Sequence, residues 1–207
     1  MRTATAFLSV VLGLLAVAGC TKRETTVERG NRDGVLHYSI GSEPSDLDPH
    51  IVVALADSKI IGALFEPLVT FEPVTLAPKP ALAERWEISA DGLTYTFHLR
   101  ADAMWSNGET ITAQDCVDSW HRILTPSLAA GYADWFYILR GAEAFHKGRT
   151  KDFSTVGVAA PDPRTLVVTL AHPAPYFLQV LLNSPWRPVN VRNIAAFGDI
   201  YQRGTPW

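Results

Sequence analysis

The spacing of apolar and polar positions divides the chain into a succession of short elements. Val35 to Ile40 alternates, with Leu36, Tyr38 and Ile40 on one side and His37 and Ser39 on the other, which predicts a strand. Gly41-Ser42-Glu43-Pro44 breaks it, and Asp46-Leu47-Asp48-Pro49-His50 continues as a loop. After Asp57-Ser58, a candidate cap, Ile61, Leu64, Phe65 and Leu68 fall on one helical face, with Pro67 near its end. Leu68 to Phe71 reads as a short strand. Trp86 to Ile88 and Thr94 to Leu99 flank an Asp91-Gly92 turn, a strong hairpin signal. Thr112-Ala113-Gln114-Asp115 starts a helix as a capping box does, and Val117, Trp120 and Leu124 follow on one face until Pro126. Tyr132 to Phe145 predicts a further aromatic-rich helix closed by Gly148. Thr165 to Leu170 predicts a strand after the Pro161-Asp162-Pro163 turn, and Pro175 to Leu182 a short apolar helix. Helices interspersed with mixed strands imply an α/β or α+β chain.

The first twenty residues follow a different pattern. Arg2 gives a short positive head, and Ala6 to Gly19 carries no charge. That run is too short to cross a hydrocarbon core, which takes about 20 residues, but has the length of a signal-peptide apolar region. It ends Val17-Ala18-Gly19-Cys20, small residues before a cysteine, and resembles the lipobox of bacterial lipoproteins. That resemblance implies lipid attachment at Cys20 and residues 1–20 as a lipoprotein signal peptide. Residues 21–34 are polar and of mixed charge, as a tether between membrane and domain requires.

Composition narrows the function classes. The 207 residues carry 18 Lys+Arg against 21 Asp+Glu, a net charge of −3, so no basic surplus points to nucleic acid. Apolar residues make up 47% and charged residues 19%, which suits a folded body rather than a disordered chain. With Cys20 assigned to lipid, Cys116 has no disulfide partner and is expected as a small buried residue inside its helix.

Catalytic wiring is not evident. The six histidines show no i, i+4 pair and no His-Glu-x-x-His, and there is no Gly-x-Ser-x-Gly elbow, phosphate loop or dinucleotide fingerprint. Asp46 and Asp48 lack the further oxygen ligands and glycine offset of a calcium loop, so turn and capping roles are expected for them. No enzyme activity, metal or cofactor is therefore assigned. Trp86, Trp105 and Trp120 each fit a core pattern. The cluster Tyr132-Ala133-Asp134-Trp135-Phe136-Tyr137 is denser than one helix face needs, which leaves core packing or the lining of a ligand cleft open.

The order of several weak motifs over about 165 positions carries more. Gly41-Ser42-Glu43-Pro44, Leu47-Asp48-Pro49-His50 and Leu64-Phe65-Glu66-Pro67-Leu68 come first. Pro80-Ala81-Leu82-Ala83-Glu84-Arg85-Trp86, the Asp91 to Arg100 hairpin and Trp105-Ser106-Asn107-Gly108 follow. Thr112 to Asp115, Ser119-Trp120-x-Arg122, Leu166 to Leu170 and Pro173-Ala174-Pro175-Tyr176-Phe177 complete the series. Together they resemble the N-terminal part of the oligopeptide/dipeptide solute-binding proteins of bacterial ABC importers.

This resemblance implies an α/β fold of the periplasmic-binding-protein-like class II. Residues 35–66 and 192–207 would be segments of lobe one, residues 67–191 the extra α/β domain of the peptide-binding class, and the second lobe would be missing. It implies a lipid-anchored monomer in the cell envelope, facing the periplasm or the exterior, that captures short peptides and passes them to membrane permease subunits. Tyr132 matches a tyrosine that lines the peptide cleft, and the loop carrying Val53, Ala54 and Leu55 is cleft-facing in that family. Where oligopeptide receptors can show an acidic residue, this chain has Val53-Ala54-Leu55, so a non-peptide solute (nickel chelate, haem, sugar or opine) is the alternative, with a non-binding truncated lipoprotein beyond it. One lobe does not enclose a ligand, so tight peptide binding by the 207 residues alone is not expected.

Overall fold

The structure is a computed structural model and describes residues 23–197. Cys20 and the signal and lipobox residues lie outside the described residues, as do positions 198–207. The chain divides into two units, one ending at Gly41 and the other beginning at Ser42.

In the first unit, helix α1 spans Thr26–Asp33, within the stretch expected as a polar tether. Thr25 and Glu28 form a reciprocal capping box: the Thr25 hydroxyl accepts the Glu28 amide at 3.1 Å, and the Glu28 carboxylate accepts the Thr25 amide at 2.9 Å. Arg32 pairs with Glu24 and with Asp33. A reciprocal cap and flanking ion pairs therefore organise a segment whose mean composition suggested no helix. The strand expected over 35–40 does not form. Leu36 and Tyr38 stay 87% and 65% exposed, because alternation supplies no ladder partner by itself.

The second unit opens with the loop to Val53 and helix α2, Leu55–Leu64. The helix starts before the expected Asp57-Ser58 cap. Its N-cap Ala54 has no side-chain cap bond, and Asp57 turns back to Ser45 instead. Strands β1 (Val69–Phe71) and β2 (Pro78–Pro80) pair as a small antiparallel ribbon. Strands β3 (Ala83–Ile88) and β4 (Thr94–Leu99) form the expected hairpin around Asp91-Gly92. Helix α3 is Ala113–Leu124, capped reciprocally by Thr112 and Asp115. A 3-10 turn at 133–138 and the short helix α4, Ala142–His146, come next. Strands β5 (Val158–Asp162) and β6 (Thr165–Thr169), helix α5 (Phe177–Val180) and helix α6 (Val191–Phe197) complete the described chain.

The main sheet is antiparallel in the order β3-β4-β6-β5. Its register places Phe97 opposite Leu166 and Tyr95 opposite Val168, all buried. Alternate residues of β4 and β6 thus turn one face of the sheet into the core. Helix α3 adds Cys116, Trp120, Ile123 and Leu124 to that core. The Trp186 ring stacks on Phe136 at 3.8 Å and meets Trp120 edge-on at 5.2 Å, while the Trp120 indole N–H donates to Trp186 O at 3.2 Å. Cys116 is buried in the helix, as expected, and burial raises its thiol pKa well above the ordinary range.

The aromatic stretch from Tyr132 is not one helix. Leu139 takes an extended conformation and bridges Leu170, and the Arg140 amide donates to Thr169 O at 3.0 Å. The end of β6 captures two residues that helical spacing alone would have kept in the helix. Gly141 then reverses the chain with φ +74°, where any Cβ would lie 2.4 Å from Thr155 O.

Candidate functional site

The loop before α2 is held by three carboxylates. Asp57, almost fully buried, accepts the Ser45 amide at 3.1 Å and the Ser45 hydroxyl at 2.7 Å. Asp46 accepts the Asp48 amide at 2.9 Å, and Asp48 accepts the His50 amide at 2.9 Å. These are the turn and capping roles that the sequence suggested for Asp46 and Asp48.

Asp48 does more. Arg122 of α3 grips both its oxygens, with Nη2 at 2.6 Å from Oδ2 and Nη1 at 3.2 Å from Oδ1. The Asp48 side chain has 0% exposure and that of Arg122 11%. Two hydrogen bonds in the fork geometry offset the desolvation of both charges. His50 lies beside the pair, with Nδ1 at 2.9 Å from Arg122 Nη1 and Nε2 at 3.2 Å from Arg187 O. Arg122 only donates and the carbonyl only accepts, so the partners select the neutral imidazole protonated at Nε2. Burial lowers the His50 pKa to about 4; Asp48 opposes that shift and Arg122 adds to it.

Arg187 closes the cluster from the other side. It donates to Phe65 O at the C-cap of α2 and to Leu182 O at 3.4 Å, just beyond α5. Its charge therefore sits on the C-cap carbonyl of α2 and on a carbonyl in the turn after α5. Burial lowers its pKa. Sequence reasoning did not single out Arg122 with Asp48 or Arg187, whose partners lie 74 and 122 residues away.

Past this anchor the chain emerges at Val53-Ala54-Leu55. Val53 is 59% exposed and Leu55 75%. The Tyr132 hydroxyl donates to Val53 O at 3.1 Å across 79 residues. At Gly131 a Cβ would come within 2.8 Å of Val53 Cγ1, so the two segments touch through a position without a side chain. Trp135 packs on the Tyr132 ring at 4.5 Å between centroids. The structure thus brings together the candidate residues Tyr132 and Val53 at an exposed ledge, with Ala54 and Leu55 also exposed.

A separate apolar cleft of about 660 Å³ lies beside Leu64, Phe65, Leu82, Met104 and Trp105. A neighbouring one of about 480 Å³ shares Leu47, Phe65, Trp105 and Ser106 with it. Neither is lined by Tyr132 or by Val53 to Leu55. Among the described residues no group of three or more His, Cys, Asp or Glu is arranged to hold a metal ion, and no helix is long and apolar enough to cross a membrane.

This α/β arrangement is that of the class II periplasmic-binding-protein-like structures. The oligopeptide-binding protein OppA of Haemophilus influenzae, solved with the peptide RPPGFSPFR, superposes with a TM-score of 0.73 at 34% identity, over 78% of this chain and 32% of that one. Residues 77–201 match the family described as Bacterial extracellular solute-binding proteins, family 5 Middle, and the chain belongs to that family. The dipeptide-binding protein DppE of Bacillus subtilis (strain 168) is 37% identical over 191 residues, 88% of this chain and 35% of the relative. The periplasmic oligopeptide-binding protein OppA of Escherichia coli (strain K12) is 39% identical over 161 residues, 77% of this chain and 29% of the relative. The chain spans about a third of the length of the curated relatives it matches. Both relatives are named as binding proteins.

The buried histidine gives the fold a pH dependence with a definite sign. Above pH 6.5 His50 is neutral folded or unfolded and contributes nothing. Between 6.5 and about 4 the unfolded chain takes up a proton that the folded chain refuses, so stability falls as pH falls, by roughly 3 kcal/mol in all. Below about 4 the loss saturates. Urea unfolding at pH 7 and pH 5 should show the wild-type chain losing about 2 kcal/mol more than His50→Gln over that interval. Equal losses in the two proteins would contradict the buried neutral assignment.

Proposed function

We propose that this chain contributes one wall of an extracytoplasmic, lipid-anchored receptor that captures peptides and delivers them to the permease subunits of an ABC importer. The observation that carries the reading is the ledge where the Tyr132 hydroxyl meets Val53 O beneath exposed Val53 and Leu55. Relatives named for dipeptide and oligopeptide binding support the ligand class. An extended peptide laid along such a ledge pairs its main chain with the protein and packs alternate side chains on Val53, Leu55 and the Tyr132 ring. Main-chain pairing ignores side-chain identity, so such a receptor accepts many sequences. Residues 35–66 and 192–207 then serve as parts of lobe one and residues 67–191 as the extra domain. Closure by hinge motion against a second lobe would bury both faces of the ligand. Lipid attachment at Cys20 would hold the receptor, as a monomer, near the permease.

The ledge alone leaves one face of the peptide in water, so weak, localised binding is expected. Titrating the chain with tri-alanine should shift the amide resonances of Val53 to Leu55 and of Tyr132 saturably, at roughly millimolar concentration, and Tyr132→Ala should weaken the effect at least about fivefold. Shifts confined to other surfaces, or none up to about 20 mM, would sink the assignment of the ledge. For the anchor, Cys20→Ala expressed in a bacterial host should move the protein from the membrane to the soluble fraction. Its persistence in the membrane would contradict lipidation at Cys20.

A further inference from the structure

Trp135 and Tyr176 remain 39% and 55% exposed although both rings are large and apolar. They come together in a recess of about 500 Å³ that none of the ledge residues lines. Tyr137 supplies a third ring, Ile138 and Val180 the aliphatic surface, and Asp134 a carboxylate. His172 and Asn183 complete the lining, and no Lys or Arg lines the recess. Among the described residues no hydrogen bond or ion pair engages the Asp134 side chain.

Three aromatic side chains and an unpaired carboxylate line one recess beside His172 and Asn183, and no Lys or Arg in the lining offsets the carboxylate. An anion there faces the Asp134 carboxylate, and a neutral apolar group leaves that carboxylate without a partner. A cation with a flat, weakly hydrated head satisfies both features: it stacks on indole or phenol and forks onto the carboxylate. An ammonium is more strongly hydrated and does not stack, so guanidinium is the better fit. Tyr137 already takes a cation from its own chain, since Lys147 Nζ lies 5.5 Å from the ring centroid. That lysine is bound at 2.6 Å by Glu143, which leaves Asp134 uncompensated.

We propose that this recess binds an alkyl-guanidinium, the side chain of an arginine carried in a polypeptide. Trp135 stacks on Tyr132 at 4.5 Å, so one indole would border both this recess and the ledge.

The test uses Nα-acetyl-L-arginine methylamide as probe and the corresponding citrulline derivative, which has nearly the same shape without the charge. Both are titrated into the 207-residue chain at low ionic strength while the Trp135 indole N–H is followed by NMR, its resonance assigned with Trp135→Phe. The arginine derivative should give a saturable shift in roughly the millimolar range, the citrulline derivative should bind at least about tenfold more weakly, and Asp134→Asn should weaken arginine binding about fivefold or more. Asp134 is exposed and outside the core, and an unchanged circular dichroism spectrum would verify that the variant folds. Equal binding of the two probes, an Asp134→Asn variant that binds arginine as well as wild type, or no saturation up to about 50 mM would each overturn the proposal.

Discussion

Asp48 carries a carboxylate whose side chain has no exposed surface, and Arg122 makes that burial tolerable. Removing one member of such a buried pair typically costs about 3–5 kcal/mol, because the other is left charged and dry. The rest of the second unit is arranged around this fact. Helix α3 brings Arg122 from the sheet side, the loop brings Asp48 and His50, and the segment after Trp186 brings the carbonyl that holds His50. Four stretches of chain meet there once Phe65 O is bound by Arg187.

The position of the ledge follows from that anchor. Val53 stands three residues beyond His50, and the Ile51 and Val52 amides both return to Asp48 O, at 3.1 and 3.2 Å. The chain leaves the anchor in a fixed direction and meets Tyr132 there. Tyr132 is placed by a second route, through the 3-10 turn that buries Ala133 and Phe136 and through the stack of Phe136 on Trp186. A surface assembled this way is held by contacts within the chain itself, which lowers the ordering cost of any binding there.

Much of the body was legible from local pattern. The hairpin at Asp91-Gly92, the capping box at Thr112 and Asp115 and the strand from Thr165 are decided by residues within a few positions of one another, and they appear where expected. The misplaced elements were those decided at a distance. Val35 to Ile40 alternates like a strand but joins no strand ladder among the described residues, and the aromatic helix from Tyr132 breaks because the end of β6 captures Leu139 and Arg140. The polar stretch around α1 folds through one reciprocal cap that mean composition does not register. Of the ledge, the family resemblance pointed to Tyr132 and to Val53 to Leu55, but nothing local indicated that the Tyr132 hydroxyl reaches Val53 O. The ionic anchor was less visible still: Asp48 had an ordinary local explanation as a turn residue, and only its meeting in space with His50 and Arg122 shows what the three do.

The account depends most on the claim that the Asp48–Arg122 pair fixes the segment leading to the ledge. Amide hydrogen exchange in Arg122→Gln reads this directly, with the Val52 amide as reporter and the Phe97 amide in β4 as internal reference. The account predicts that Val52 exchanges at least about tenfold faster relative to Phe97 than in the wild-type chain, as a local opening requires. An unchanged ratio of the two rates would contradict it.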